Sequence, residues 1–289
     1  MSPPEIVPFE RFAALRPSRA VPALFDALWV LGSLEGLRRP AIAIVGTRAA
    51  TAYGKALAGR FAAELGAAGC AIVSGLALGI DAAAHQGALE ARTPTIGVLG
   101  SGHDRFFPAR NRGLAARMLE AGGAVLSPYP PEMLAMPHRF LERNGIVAAL
   151  SDAVVVIEAP ARSGALNTAG WAAGRIPVFA VPGDVDRAHV AGCHALIRDG
   201  AILARSAQDV LDDLGLSAPP GAQASLLQPV PERDALAQRL VDRLREGEAT
   251  LEDLLQAADE PPARTIAALS LLELSGAIEA RAGQRYALR

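Results

Sequence analysis

From residue 41 to about 205 one pattern repeats along the chain: a short apolar run that ends near a Gly or Ser, then an Ala- and Leu-rich stretch at helical spacing. The runs are 41–45 (AIAIV), 71–74 (AIVS), 95–99 (TIGVL), 124–127 (AVLS), 153–157 (AVVVI), 177–181 (PVFAV) and a weaker 201–204 (AILA). A strand that is apolar on both faces needs cover on both faces, and a parallel sheet with crossover helices supplies it. The predicted fold class is therefore α/β, a doubly wound, mostly parallel sheet over residues 41–215. Ligands bind such sheets beyond the carboxyl ends of the strands. There this chain places its glycines and polar residues: Gly46-Thr47-Arg48, Ser74-Gly75 through Asp81, 100–104 (GSGHD), and Glu158 through Thr168.

The flanks read differently. Residues 1–40 are too few for a domain; four prolines in the first 17 positions precede an apolar stretch at 23–31, a helix or strand feeding the sheet, so a connecting segment is expected. Residues 216–231, with Pro219-Pro220-Gly221, have linker composition. Beyond them, leucines at helical spacing over 232–246 and 250–258 come before a third helix that Pro261-Pro262 opens and Ser275-Gly276 closes. Two short strands around Ala282-Gly283 complete the pattern, and three helices with a hairpin predict a small winged-helix domain over 232–289.

Composition narrows the chemistry. With 51% hydrophobic but only 4% aromatic residues, small aliphatic side chains fill the interior, and disorder is excluded as the main state. Cys70 and Cys193 lie far apart in no ligand spacing, so neither a disulfide framework nor a zinc site is expected, and a reduced compartment fits. His103, His189 and His194 also lack metal spacing. The amino terminus has no charged region before an apolar run, and no apolar stretch reaches about 18 residues, so a cytoplasmic protein without a membrane partner is expected. A net charge of −2 gives no global attraction for a polyanion, which a local cluster and backbone N–H groups would have to hold. Lys55 is the only lysine among 28 basic residues; the rest are guanidinium groups, forked donors that bind phosphate through two bonds and stack on flat groups.

No GxGxxG follows the first strand, and GxxxxGK[ST], GxSxG and a Ser/His/Asp pattern are all missing, so no dinucleotide, P-loop or triad chemistry is supported and no cofactor is expected. The loops offer phosphate seats instead. Gly46 permits close backbone approach, Thr47 supplies a hydroxyl and Arg48 a forked cation near a helix start, while Ser74 and Gly75 open a second loop. In 137–145 (PHRFLERNG), Phe140 stands among Arg139, Arg143 and Asn144, the mixture with which single-strand binders stack a base and neutralise its backbone. Ser163, Gly164 and Thr168 bring hydroxyls and free N–H groups to another helix start. Plain structural roles stay open: a β-to-α turn at 46–48, a helix cap at Asp81, a packed His85, a buried Phe140 beside solvated arginines, and a capping loop at 163–168.

Six of these segments, taken in order, are similar to one family. Ile44-Val-Gly-Thr-Arg48, Ser74-Gly-Leu-Ala-x-Gly-Ile-Asp81 with His85, Phe140-x-x-Arg-Asn144, Ser163-Gly-x-Leu-x-Thr168, Val181-Pro-Gly183 and Gly192-Cys193 through Ala201 resemble the DNA-processing protein A family, DprA or Smf. The resemblance implies an extended Rossmann-like core that is no enzyme, binds single-stranded DNA and forms a homodimer. It also implies a role in protecting incoming strands and loading the RecA recombinase in natural transformation and recombination. By the same resemblance Gly46, Arg48, Phe140, Arg143, Asn144, Ser163, Gly164 and Thr168 line the DNA site. The chain departs from the family at Gly145, where another Arg is usual. Its tail carries eight arginines against eleven acids over 232–289, with only Arg264 between 262 and 274, so contact with protein and not with DNA is expected there. The competing reading is a nucleotide phosphoribohydrolase resembling enzymes with a PGGxGTxxE loop; here 161–169 (ARSGALNTA) lacks the carboxylate at that spacing, leaving Glu158 ahead of the loop.

Overall fold

The computed structural model describes residues 3–16, 24–216, 235–245, 247–258, 260–274, 277–281 and 285–288. The chain divides into two units, Met1–Pro219 and Pro220–Arg289.

All seven apolar runs form strands in the first unit: β3 (Ala41–Val45), β4 (Ala71–Ser74), β5 (Thr95–Val98), β6 (Ala124–Ser127), β7 (Ala153–Val156), β8 (Val178–Ala180) and β9 (Ile202–Leu203). Two more precede them, β1 (Glu5–Pro8) and β2 (Ala27–Gly32). The sheet order is β1-β2-β6-β5-β4-β3-β7-β8-β9. Every pairing from β6 to β9 is parallel, whereas β1–β2 and β2–β6 are antiparallel. This is the expected Rossmann-like α/β sheet. The first 40 residues do more than connect, because β2 lies against β6 with Trp29 opposite Ser127, and Val7, Phe12, Leu28 and Val30 are buried in the main core.

The strands alternate in what they bury. Ala41, Ala43 and Val45 face one layer with α1 (Phe9–Leu15), α5 (Pro137–Ala149) and α6 (Gly164–Ala172). Ile42 and Ile44 face the other, with α2 (Ala52–Ala67), α3 (Ile80–Glu90) and α8 (Ala207–Asp213). A smaller cluster joins Leu76, Leu99 and Val125 to Met118 of α4 (Arg112–Glu120); α7 (Ala191–Arg198) buries Cys193. Helices α2 and α3 pack so closely that a Cβ on Gly87 would lie 2.2 Å from the Gly59 carbonyl oxygen.

The second unit holds α9 (Ala235–Arg245), β10 (Ala249–Thr250), α10 (Leu251–Ala258), α11 (Pro262–Leu274), β11 (Ile278–Arg281) and β12 (Arg285–Leu288), with sheet order β10-β12-β11. Leu236, Leu240, Leu254, Leu269 and Ile278 form its core. Among the described residues, three helices and the antiparallel pair β11–β12 fall within the spans predicted for them. The expected linker, from residue 217 on, and the hairpin turn at 282–284 lie outside the described residues. Among the described residues no helix is long and apolar enough to cross a membrane, and no group of three or more His, Cys, Asp or Glu could hold a metal ion.

His85 is packed, as its structural reading had it: fully buried, with Nδ1 2.6 Å from the Thr95 hydroxyl. Burial, and then the Arg143 charge, push its pKa down to about 3. The unfolded chain therefore binds a proton below about pH 6.5 that the folded chain refuses, so stability falls with pH from there toward 3. This one residue should cost about 2 kcal/mol between pH 7 and pH 5. Urea melts at the two pH values should show that loss in the parent and a shallower one in His85→Gln; equal slopes would contradict the assignment.

Candidate nucleic-acid interface

Strand order reverses direction between β3 and β7, so the loops that leave these two strands diverge and open a crevice at their carboxyl ends. Hydrogen bonds fix the loops to one another. Thr47 N–H donates to the Glu158 carbonyl at 2.7 Å, and Ile80 N–H donates to the Thr47 carbonyl at 3.3 Å. Gly46 allows this approach, since a Cβ there would meet Ile80 Cγ1 at 2.5 Å and the Glu158 carbonyl at 2.8 Å. Gly79 combines a φ of +79° with a Thr47 carbonyl 2.3 Å from where a Cβ would stand.

The crevice is a pocket of about 370 Å³, and every expected site residue except Ser74 lines it. Ser74 is buried and donates its hydroxyl to the Ile44 carbonyl at 2.6 Å, which makes it part of the sheet's end. Arg48 is exposed, with its guanidinium carbon 5.0 Å from the centre of the Phe140 ring. Phe140 is half-buried and also lies 5.7 Å from the Phe107 ring, so it is a supported ring and not the bare stacking platform that its sequence context suggests. Ser163 caps α6 by accepting from Ala165 N–H, Gly164 is exposed, and Thr168 is buried at the pocket wall.

Arg143 departs furthest from expectation. Instead of reaching toward a ligand it is only 3% exposed, and its Nη1 donates to the carbonyls of Gly75 and, at 2.6 Å, Val98. On the other side of Gly75 stands the Asp81 carboxylate, which accepts from Gly75 N–H at 3.1 Å and Ala77 N–H at 3.3 Å. The backbone at Gly75 fits between the two charges only without a side chain: a Cβ there would meet Arg143 Nη1 at 2.1 Å and Asp81 Oδ2 at 2.8 Å. Asp81 thus reaches back into the loop and does not cap α3, whose cap position is Gly79. Burial raises the Asp81 pKa against the opposing pull of Arg143. Burial lowers that of Arg143 to about 10, which leaves it charged at neutral pH. Asn144 is likewise internal, donating to the Gly164 carbonyl at 3.1 Å and to Asn167 Oδ1 at 3.2 Å. Arg143 and Asn144 position loops; the accessible chemistry belongs to Arg48 and the rim.

Two rim residues escaped sequence reasoning. Arg162 is exposed in the pocket lining, and its place beside Ser163 at a helix start was the available signal. Phe107, 47% exposed, had none beyond its neighbour Phe106, which is buried. Glu158 is buried, accepts from Thr51 N–H at 2.9 Å and Thr51 Oγ1–H at 2.5 Å, and presents no carboxylate to the pocket.

Residues 15–215 match the family model described as DNA recombination-mediator protein A. The chain belongs to that family. A Mycobacterium tuberculosis relative carrying the name DNA processing protein DprA is 40% identical over 275 residues, which are 91% of this chain and 68% of that protein. The X-ray structure of DprA from Streptococcus pneumoniae is similar at a TM-score of 0.61 and 40% identity, over 65% of this chain and 66% of that one. DprA from Helicobacter pylori, whose structure is described for its single-stranded DNA binding mode, matches at 0.60 and 30% identity over 68% of this chain and 93% of that one. The chain spans about two thirds of the length of the first two relatives. Its departure from the family at Gly145 takes no cation from the pocket, because Gly145 is buried, 3.1 Å from Trp171 at its would-be Cβ, and outside the lining.

Removing a buried cation leaves its partner charge uncompensated, whereas an exposed one is lost at little cost. Arg143→Ala should therefore destabilise the core unit by about 3 to 5 kcal/mol and Arg48→Ala by less than about 0.5 kcal/mol in urea melts. An Arg143→Ala variant as stable as the parent would overturn the positioning role.

Proposed function

We propose that this chain binds single-stranded DNA at the β3/β7 crevice as a non-enzymatic mediator of recombination. In this reading it protects incoming strands and loads a RecA recombinase in natural transformation and DNA recombination, acting in the cytoplasm as a homodimer. The observation that carries the reading is the exposed Arg48 guanidinium over the Phe140 ring, with exposed Arg162 in the same lining and Asp81, the lining's one carboxylate among the described residues, buried. A cation backed by a ring binds phosphate and stacks on a base without choosing among bases. Membership of the recombination-mediator family and the single-strand binding of the Helicobacter pylori relative support the same reading.

The enzyme reading, phosphoribohydrolase chemistry, needs a carboxylate at the ligand, and Glu158 is instead held by Thr51 at the start of α2. Incubation with a nucleoside monophosphate should release no ribose phosphate. The carboxyl-terminal unit is read as a winged-helix module that meets protein, given its excess of acids over arginines across 232–289.

Two measurements test the proposal. Arg48→Ala should weaken binding of a single-stranded oligonucleotide by about 1 to 3 kcal/mol, the usual range for a charge-assisted contact, with little dependence on base sequence. Unchanged affinity would remove the crevice from the function. Deleting residues 220–289 should leave that affinity within tenfold, as about the cost of one contact at most; a larger loss would reassign the tail to DNA.

A further inference from the structure

A second depression begins where the first ends. Arg48 lines both the crevice and a neighbouring groove of about 590 Å³ that runs between α2 and α3. The ridge between them is the loop 75–79, which Asn111 holds by donating to the carbonyls of Leu76 at 2.9 Å and Ala77 at 3.0 Å. Lys55 and Arg60 line the groove from α2, Arg110 from the turn ahead of α4, and Glu90 is its only acid among the described residues. Four cations against one carboxylate make a local charge of +3 on a chain whose net charge is −2. Arg60 lies 3.9 Å from Glu64 along its own helix, but Lys55 and Arg110, both exposed, have no carboxylate within 4.0 Å among the described residues. The groove floor is the close approach of Gly59 and Gly87, which leaves backbone where side chains would otherwise fill the space.

Exposed cations concentrated in a groove favour an anion, and a groove that begins at Arg48, the proposed phosphate contact, suits a chain of phosphates. Resting on the proposed single-strand binding at the crevice, we propose that a strand leaving the Phe140 pocket passes Arg48 and continues along the α2–α3 groove, where Lys55 and Arg110 contact successive parts of its phosphate backbone. The groove holds no aromatic side chain and no built pocket for a base, so it grips the backbone without stacking. It therefore adds affinity and salt dependence in proportion to strand length.

The experiment compares the full-length Lys55→Ala/Arg110→Ala variant with the parent and with Arg175→Ala/Arg198→Ala, which removes two exposed cations near the carboxyl ends of α6 and α7. Each binds thymidine oligonucleotides of about 6 and about 20 nucleotides, lengths that bracket the usual single-strand site. On the long strand the groove variant should lose about tenfold, and the slope of log affinity against log salt should fall by about 1.4, two contacts at about 0.7 each. On the short strand it should match the parent, and the control variant should match the parent on both. A groove variant indistinguishable from the control, or a deficit equal at both lengths, would overturn the inference. A parent that binds neither oligonucleotide would overturn the crevice proposal and this one together, whereas loss of the groove effect alone leaves the crevice standing. Charge-preserving Lys55→Arg/Arg110→Lys should restore the parent's salt slope.

Discussion

The buried charge pair that brackets Gly75 holds the ligand-facing rim of this molecule in shape. Arg143 gathers the carbonyls at the ends of β4 and β5, and Asp81 gathers the N–H groups one step along the same loop. Each charge makes the other tolerable inside the protein, and together they replace with fixed partners the water that a turn of backbone would otherwise need. The neighbouring loops then join this frame through Thr47, which accepts from Ile80 and donates to Glu158. The result is a crevice whose walls are set by internal polar bonds, so that the exposed Arg48 guanidinium over the Phe140 ring stands on a rigid base.

How much of this was legible in the sequence depends on where each residue's partners lie. The seven parallel strands were readable because a run such as 153–157 is apolar on both faces and only a covered parallel sheet accepts that. β1 and β2 were not, since a four-residue segment ending in Pro8 becomes a strand only through β2, and β2 through β6 almost a hundred residues later. Gly46 and Gly75 were readable as close approaches but not as approaches of the protein to itself: the space at each is taken by Ile80 and the Glu158 carbonyl, and by Arg143 and Asp81. The direction in which a cation points was the difficult part. Helix periodicity did carry that information: Arg143, Ile146, Val147 and Leu150 share one face, three of them plainly core, which puts Arg143 with them and inside. Composition near Phe140 suggested two solvated arginines, Arg139 and Arg143; the period of α5 separates them, and Arg143 alone is buried.

Charge is distributed on a scale that whole-chain totals conceal. A protein with a net charge of −2 still carries an excess of cations at one end of its sheet, while its carboxyl-terminal segment is acidic. Fields from such clusters act over roughly a Debye length, about 8 Å in physiological salt, so a local excess of cations can draw an anion whatever the net charge of the chain.

Amide hydrogen exchange with and without a single-stranded oligonucleotide is the most direct test that the rim meets nucleic acid. The account expects protection gained at 46–49 and 160–164, with little change along β8 and β9. Protection confined to the strands' opposite ends or to the carboxyl-terminal unit, with these loops exchanging as before, would contradict it.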